Sequence, residues 1–175
     1  YQSMRTGRAG SSILGTIHGD SARTVYERVV HDMGISPEAF MATDILVTLG
    51  SFRDRRTGAQ SRRVSEVAAT TDRPGEFADL SGNRLDFSVP VMRRALASSV
   101  ETEEEARNEI KARSMLRGYL ASMGGRWGEQ FFSPEWISAA NDHLSRMAGR
   151  NPDDILASFR NKVFAETGKD MGDGS

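Results

Sequence analysis

The sequence has no cysteine, which excludes a disulfide framework and a thiolate-held metal and agrees with a reducing cytoplasm. It has almost no net charge. Twenty-three basic side chains stand against 24 acidic ones, a formal balance of −1, so no global field draws the chain to nucleic acid or to a membrane, and partners must be recognised locally. No apolar run approaches the roughly 20 residues of a membrane helix, and no signal-peptide pattern opens the chain. Also missing is any G-x-x-x-x-G-K-[ST] phosphate loop. At 175 residues the chain is still long enough to bury a core.

The richest stretch runs from Gly10 to Ser21. Ile13 to Ile17 is short, β-branched and flanked by glycines, which predicts a buried strand. His18 follows at once, and Asp20 or Ser21 is placed to cap a helix in which Ala22, Val25, Tyr26, Val29, Val30 and Met33 form one apolar stripe closed by Gly34. A histidine between a strand and the amides of a helix start is well placed to sense a phosphate. The plainer alternative is a histidine bonded to a neighbouring loop.

Further on, Ser36-Pro37-Glu38 opens a short helix, and strands are predicted over 44–53 and 61–69, joined as a hairpin. The hairpin tip holds Arg53, Arg55, Arg56, Arg62 and Arg63. These form either a phosphate-binding patch or a solvated turn with Asp54 and Glu66 as partial counter-charges, and the absence of interleaved aromatic rings argues against single-stranded nucleic acid. Residues 71–88 are rich in turn formers, with room for a small strand pair. Beyond them everything reads helical. A helix opens at Ser88-Val89-Pro90; Thr102-Glu103-Glu104-Glu105 is a capping box for a helix reaching about Met123; Ser133-Pro134 and Asn151-Pro152 open two more. Ala106, Ile110, Leu116, Leu120 and Met123, then Trp136, Ile137, Ala140, Leu144 and Met147, then Ile155, Leu156, Phe159 and Val163 are the predicted inward residues. His31 and His143 stand alone on helices, and no metal site is visible.

Met4-Arg5-Thr6-Gly7-Arg8-Ala9-Gly10-Ser11, then Gly15-Thr16-Ile17-His18-Gly19-Asp20-Ser21-Ala22 and Glu27-Arg28-Val29-Val30, resembles the histidine-box region of the type II/type IV secretion ATPase superfamily, above all its archaeal branch. The likeness continues through Ala42-Thr43-Asp44-Ile45-Leu46-Val47 and Arg62-Arg63-Val64-Ser65-Glu66-Val67 and weakens after Pro90. In it His18 matches the box histidine, Thr16 the threonine two before it, Gly7 and Gly10 the glycines of the preceding loop, and Arg28 an arginine of the following helix. Arg8 stands where many members have histidine, Gly19 where alanine is more frequent, and the loop from Gly10 to Thr16 is slightly longer than in the bacterial pattern.

The resemblance implies the C-terminal portion of a RecA-like P-loop ATPase core, an α/β fold with few strands plus a β-hairpin, followed by an α-helical region. It implies boundaries at 1–75 for the core, 76–88 for a linker, 89–168 for the helical part and 169–175 for a tail. It further implies a hexameric motor driving protein secretion or pilus-like filament assembly, with His18 catalytic and Arg5, Arg8 and Thr16 near the nucleotide. ATP and Mg²⁺ are the implied cofactors, their main ligands lying outside these residues. The implied partners are the N-terminal part of the motor, identical subunits in a hexamer, and a membrane platform protein, with no nucleic acid. The expected place is the cytoplasm, peripheral to the inner face of the membrane. The alternative is a non-catalytic interaction module, a split or degenerate motor subunit that binds the platform protein or the ATPase half.

Overall fold

The computed structural model describes residues 12–81, 85–99 and 102–170. Within them the chain is mixed α/β and divides after Ser99 into two units. Each is described by itself.

In the first unit, Ser21 caps helix α1 (Ala22–Glu27). Its hydroxyl accepts from the Thr24 amide at 3.1 Å while the Thr24 hydroxyl accepts from the amides of Asp20 and Ser21, at 3.1 and 3.0 Å. The capping box here is built from Thr24 in place of the usual glutamate. The predicted single helix to Met33 instead loosens into a π-helical turn over Arg28–Asp32, with the Met33 amide reaching back to the Arg28 carbonyl at 3.1 Å. Gly34 ends it at φ +68°, the left-handed position expected of it. Val25 and Val29 bury themselves against Phe40 of α2 (Pro37–Phe40), whose ring meets Tyr26 and Phe77 edge to face at 5.1 and 6.3 Å.

The sheet is an antiparallel meander, β1 (Ile45–Arg53), β2 (Gln60–Thr70) and β3 (Phe77–Asp79), in that spatial order. The predicted hairpin is therefore present, and β3 lies inside the 76–88 segment expected as a linker. Opposite Thr48 and Leu49 the partners on β2 are Glu66 and Val64, so Ser65 is an extra residue and the ladder bulges there. By register, Leu46, Thr48 and Glu66 share one face, which carries α1. Ile45, Val47, Leu49, Val64, Val67 and Ala69 share the other. Helix α3 (Pro90–Ser98) supplies Val91 and Met92 against Ala69, Leu80 and Val89 on that second face.

The strand predicted at Ile13–Ile17 is not formed: residues 12–19 are irregular, and Leu14 is 98% exposed. A β-branched run becomes a strand only when a neighbouring strand takes up its amides and carbonyls, and none lies beside this one among the described residues.

The second unit is helical. Thr102 and Glu105 form the predicted capping box at the start of α4, which continues past Met123 to Trp127 (Glu103–Trp127). A 3-10 turn, Glu129–Phe132, leads to α5 (Pro134–Arg146) and α6 (Pro152–Thr167). One core holds them together: Leu116, Leu120 and Met123 of α4, Ala140 and Leu144 of α5, and Ile155, Phe159 and Val163 of α6, as predicted, joined by Ala112, Tyr119 and Phe131. Ile110 and Ile137, also predicted inward, remain exposed. Gly124 matters to this packing, because a methyl group there would fall 2.2 Å from the Phe132 ring that lies over the helix.

Candidate functional site

Arg5, Arg8, Gly7 and Gly10 lie outside the described residues. Of the candidates that are described, His18, Thr16 and Arg28 are all exposed. His18 stands two residues before the Asp20–Ser21 approach to α1. Among the described residues its ring has no hydrogen bond or ion pair, so the alternative of a loop-bonded histidine has no partner there either. What fixes its position is the backbone just after it. A methyl group on Gly19 would come within 2.4 Å of Val25 Cγ2, so glycine lets the chain fold closely onto α1. Alanine at this position would require a β-branched side chain to move.

Two of the amides at the start of α1, read from sequence as free to meet a phosphate, are already engaged, that of Thr24 by the Ser21 hydroxyl and that of Ala22 by the sheet. The Ala22 amide donates to Glu66 Oε2 at 2.6 Å, and the Thr48 hydroxyl donates to the same oxygen at 3.1 Å. A carboxylate at a helix N-terminus satisfies an orphan donor and opposes the helix dipole, so Glu66 ties helix to sheet in the manner of an internal anion. This corrects its expected part as a counter-charge to the hairpin arginines. Sequence reading missed the role because Glu66 is 44 positions from Ala22, and only the β1–β2 register sets it beneath the helix. Asp54 likewise does not serve the arginines through its Oδ1. That oxygen accepts from the Arg56 and Thr57 amides at 2.7 and 2.8 Å, and these bonds, Thr57 foremost, hold its carboxyl below the usual range.

His143 is buried, with Nε2 3.3 Å from the Ile155 carbonyl and its ring tilted against Phe159. Burial lowers its pKa, the Ile155 carbonyl partly opposes the shift, and the Lys162 and Arg146 charges add to it. It is a core residue, in keeping with a structural assignment. His31 is exposed on the π-helical turn. An open cavity of about 380 Å³ in the helical unit is lined by Glu105, Glu109, Arg113 and Arg150 over Leu144 and Ile155. Its Glu109 and Arg113 already pair with each other, an i,i+4 bridge on α4. Among the described residues no group of His, Asp or Glu is arranged to hold a metal ion, and no helix is long and apolar enough to cross a membrane.

Among the described residues, then, the Ala22 amide is taken by Glu66 and the Thr24 amide by the Ser21 hydroxyl, and Thr16, His18 and Arg28 are exposed to solvent. Compared with known proteins, this chain matches no family profile, no curated sequence and no solved structure.

Proposed function

We propose that this chain is the C-terminal part of a hexameric ATP-hydrolysing motor for protein secretion or pilus-like filament assembly, and that it contributes His18 to a site whose phosphate loop lies in other polypeptide. The observation that carries the reading is an unfinished sheet. Strand β1 lies at the edge of the three-stranded order, with one row of amides and carbonyls that no strand pairs among the described residues, and from Ile45 to Phe52 it carries none of the charges or prolines that usually protect an edge. On the face away from α1, Val47 is 56% and Leu49 65% exposed. Ile13, Leu14 and Ile17, immediately before His18, are exposed as well. Residues of this kind are at home inside a sheet covered on both faces. A RecA-like core that continues beyond β1 would bury them and would bring further polypeptide to the His18 end of α1.

In this reading His18 is a solvent-facing imidazole that reports the state of a terminal phosphate held elsewhere, with Thr16 two residues before it, Arg28 on the following helix, and Arg5 and Arg8 as further charge. The partners are the N-terminal part of the motor, further copies in a hexamer, and a membrane platform protein on the cytoplasmic side. The sequence holds no phosphate loop, so no catalytic step is assigned to this chain alone. The alternative, a non-catalytic module that binds the ATPase half or the platform protein, draws on the same open edge and differs in leaving His18 without a task.

Turnover assays separate the two readings. The isolated chain is expected to hydrolyse no ATP, and robust turnover by it alone would refute a phosphate loop located elsewhere. Reconstituted with a polypeptide carrying the phosphate loop, it should support hydrolysis, and His18→Ala should lower the rate by about 100-fold with little change in ATP affinity. Undiminished hydrolysis by that variant would leave the interaction module as the better reading.

A further inference from the structure

The tip of the β1–β2 hairpin concentrates positive charge that no carboxylate pairs among the described residues, with Arg53 Nε donating to the Gly58 carbonyl of the turn at 3.3 Å. Arg53, Arg55, Arg56, Arg62 and Arg63 are all exposed, and none is ion-paired with a carboxylate among the described residues. They stand together in a chain whose formal charge is only −1. The tip is also pre-organised. Asp54 accepts the Gly58 amide at its carbonyl at 2.9 Å and the Arg56 and Thr57 amides at its side chain, its own amide donates to Ala59, and Gly58 takes φ +72°. The one acidic group at the tip thus serves the turn, and the Arg55 and Arg56 side chains take no part in those bonds.

The register distributes the guanidinium groups around the ribbon. Arg53, paired with Gln60, and Arg62, paired with Ser51, share one face; Arg63, paired with Gly50, is on the other; Arg55 and Arg56 are on the turn. Arg53 and Arg62 stand within two residues of the turn's base, or about 7 Å, which is less than a Debye length at physiological salt. A collar with charge on both faces and at its end suits a tip-first approach to an extended anionic plane. It does not suit laying one face on a partner. Phe52, the only large apolar residue between Ser51 and Arg63, is 44% exposed inside the collar, with Arg63 5.8 Å from its ring centroid. Basic groups around a partly exposed ring match the chemistry of a lipid headgroup boundary. A nucleic-acid strand would call instead for several free rings to stack its bases.

We propose that this hairpin tip docks on an anionic lipid surface. The proposal stands apart from the ATPase reading, since it needs neither nucleotide nor His18. The test is co-sedimentation of the full chain with mixed phosphatidylserine–phosphatidylcholine vesicles, with pure phosphatidylcholine vesicles, and without vesicles as the blank. Binding to the mixed vesicles, released by high salt and absent with phosphatidylcholine alone, is the expected result. Arg55→Gln with Arg56→Gln should weaken it by at least about tenfold, and Arg62→Gln with Arg63→Gln by a similar factor. Far-UV circular dichroism of these variants should match the parent, because the turn's bonds come from the backbone and Asp54. No binding to the mixed vesicles, binding unchanged by both double substitutions, or tighter binding to a DNA duplex than to the vesicles would each overturn the proposal.

Discussion

The two units solve the same problem in opposite ways. From Thr102 onward, each helix pairs its own backbone groups within a few residues, and three of them turn apolar stripes toward a single core of eleven buried residues. Up to Ser99, the buried clusters are two of three residues each, on opposite faces of a three-stranded sheet, and Ile45, Val47, Leu49 and Val64 are left in solvent. The contrast lies in the range of the interactions. A helix needs no neighbour to satisfy its main chain, whereas an edge strand does. Amphipathic helices can therefore complete a core from local sequence, and an edge strand cannot.

Substitutions matched for chemistry sharpen that difference. Phe159, fully buried on α6, should cost about 3–5 kcal/mol when replaced by alanine, because the helical core cannot collapse around the void. Leu49→Ala, on the open face of β1, should stay within about 0.5 kcal/mol. Denaturant unfolding followed by circular dichroism measures both; a large cost at Leu49 would mean that its face is already covered in solution.

A smaller effect is expected where helix and sheet meet. Glu66→Gln keeps the shape of the side chain but removes the charge facing the Ala22 amide and the Thr48 hydroxyl, at a cost of about 1–2 kcal/mol. Hydrogen exchange should show the loss at α1 first. Uniform loss across the first unit would instead make Glu66 part of a larger cooperative core.

The smallest effect is a pH dependence in the helical unit. Because burial lowers the pKa of His143, the folded state binds its proton less readily than the unfolded state does. Stability is then complete above the unfolded value, 6.5, and falls as pH drops from there toward the folded value. Thermal melts across that window should show the slope, and His143→Leu should flatten it; an unchanged slope would assign it to another group.

Legibility follows the same division. The Thr102–Glu105 capping box, the proline-led starts at Pro134 and Pro152, the hairpin, and the left-handed Gly34 could all be read from neighbouring residues, because each rests on bonds spanning a few positions. Phe131, buried in a 3-10 turn outside any helical stripe, could not. The candidate site was legible only as a set of residue types around His18. That the Ala22 amide at its helix start is taken by Glu66 depends on a ladder register joining distant segments.

Local sequence, then, determined where helices and turns begin and end and which stripe each helix buries, since capping, backbone preference and apolar period act over one or two turns. Tertiary structure alone decided that Ile13–Ile17 stays irregular, that α1 loosens at Arg28, and that Glu66 occupies the helix start. Strand pairing, and the satisfaction of a buried charge or amide, depend on groups far apart in the chain, and no window of neighbouring residues contains them.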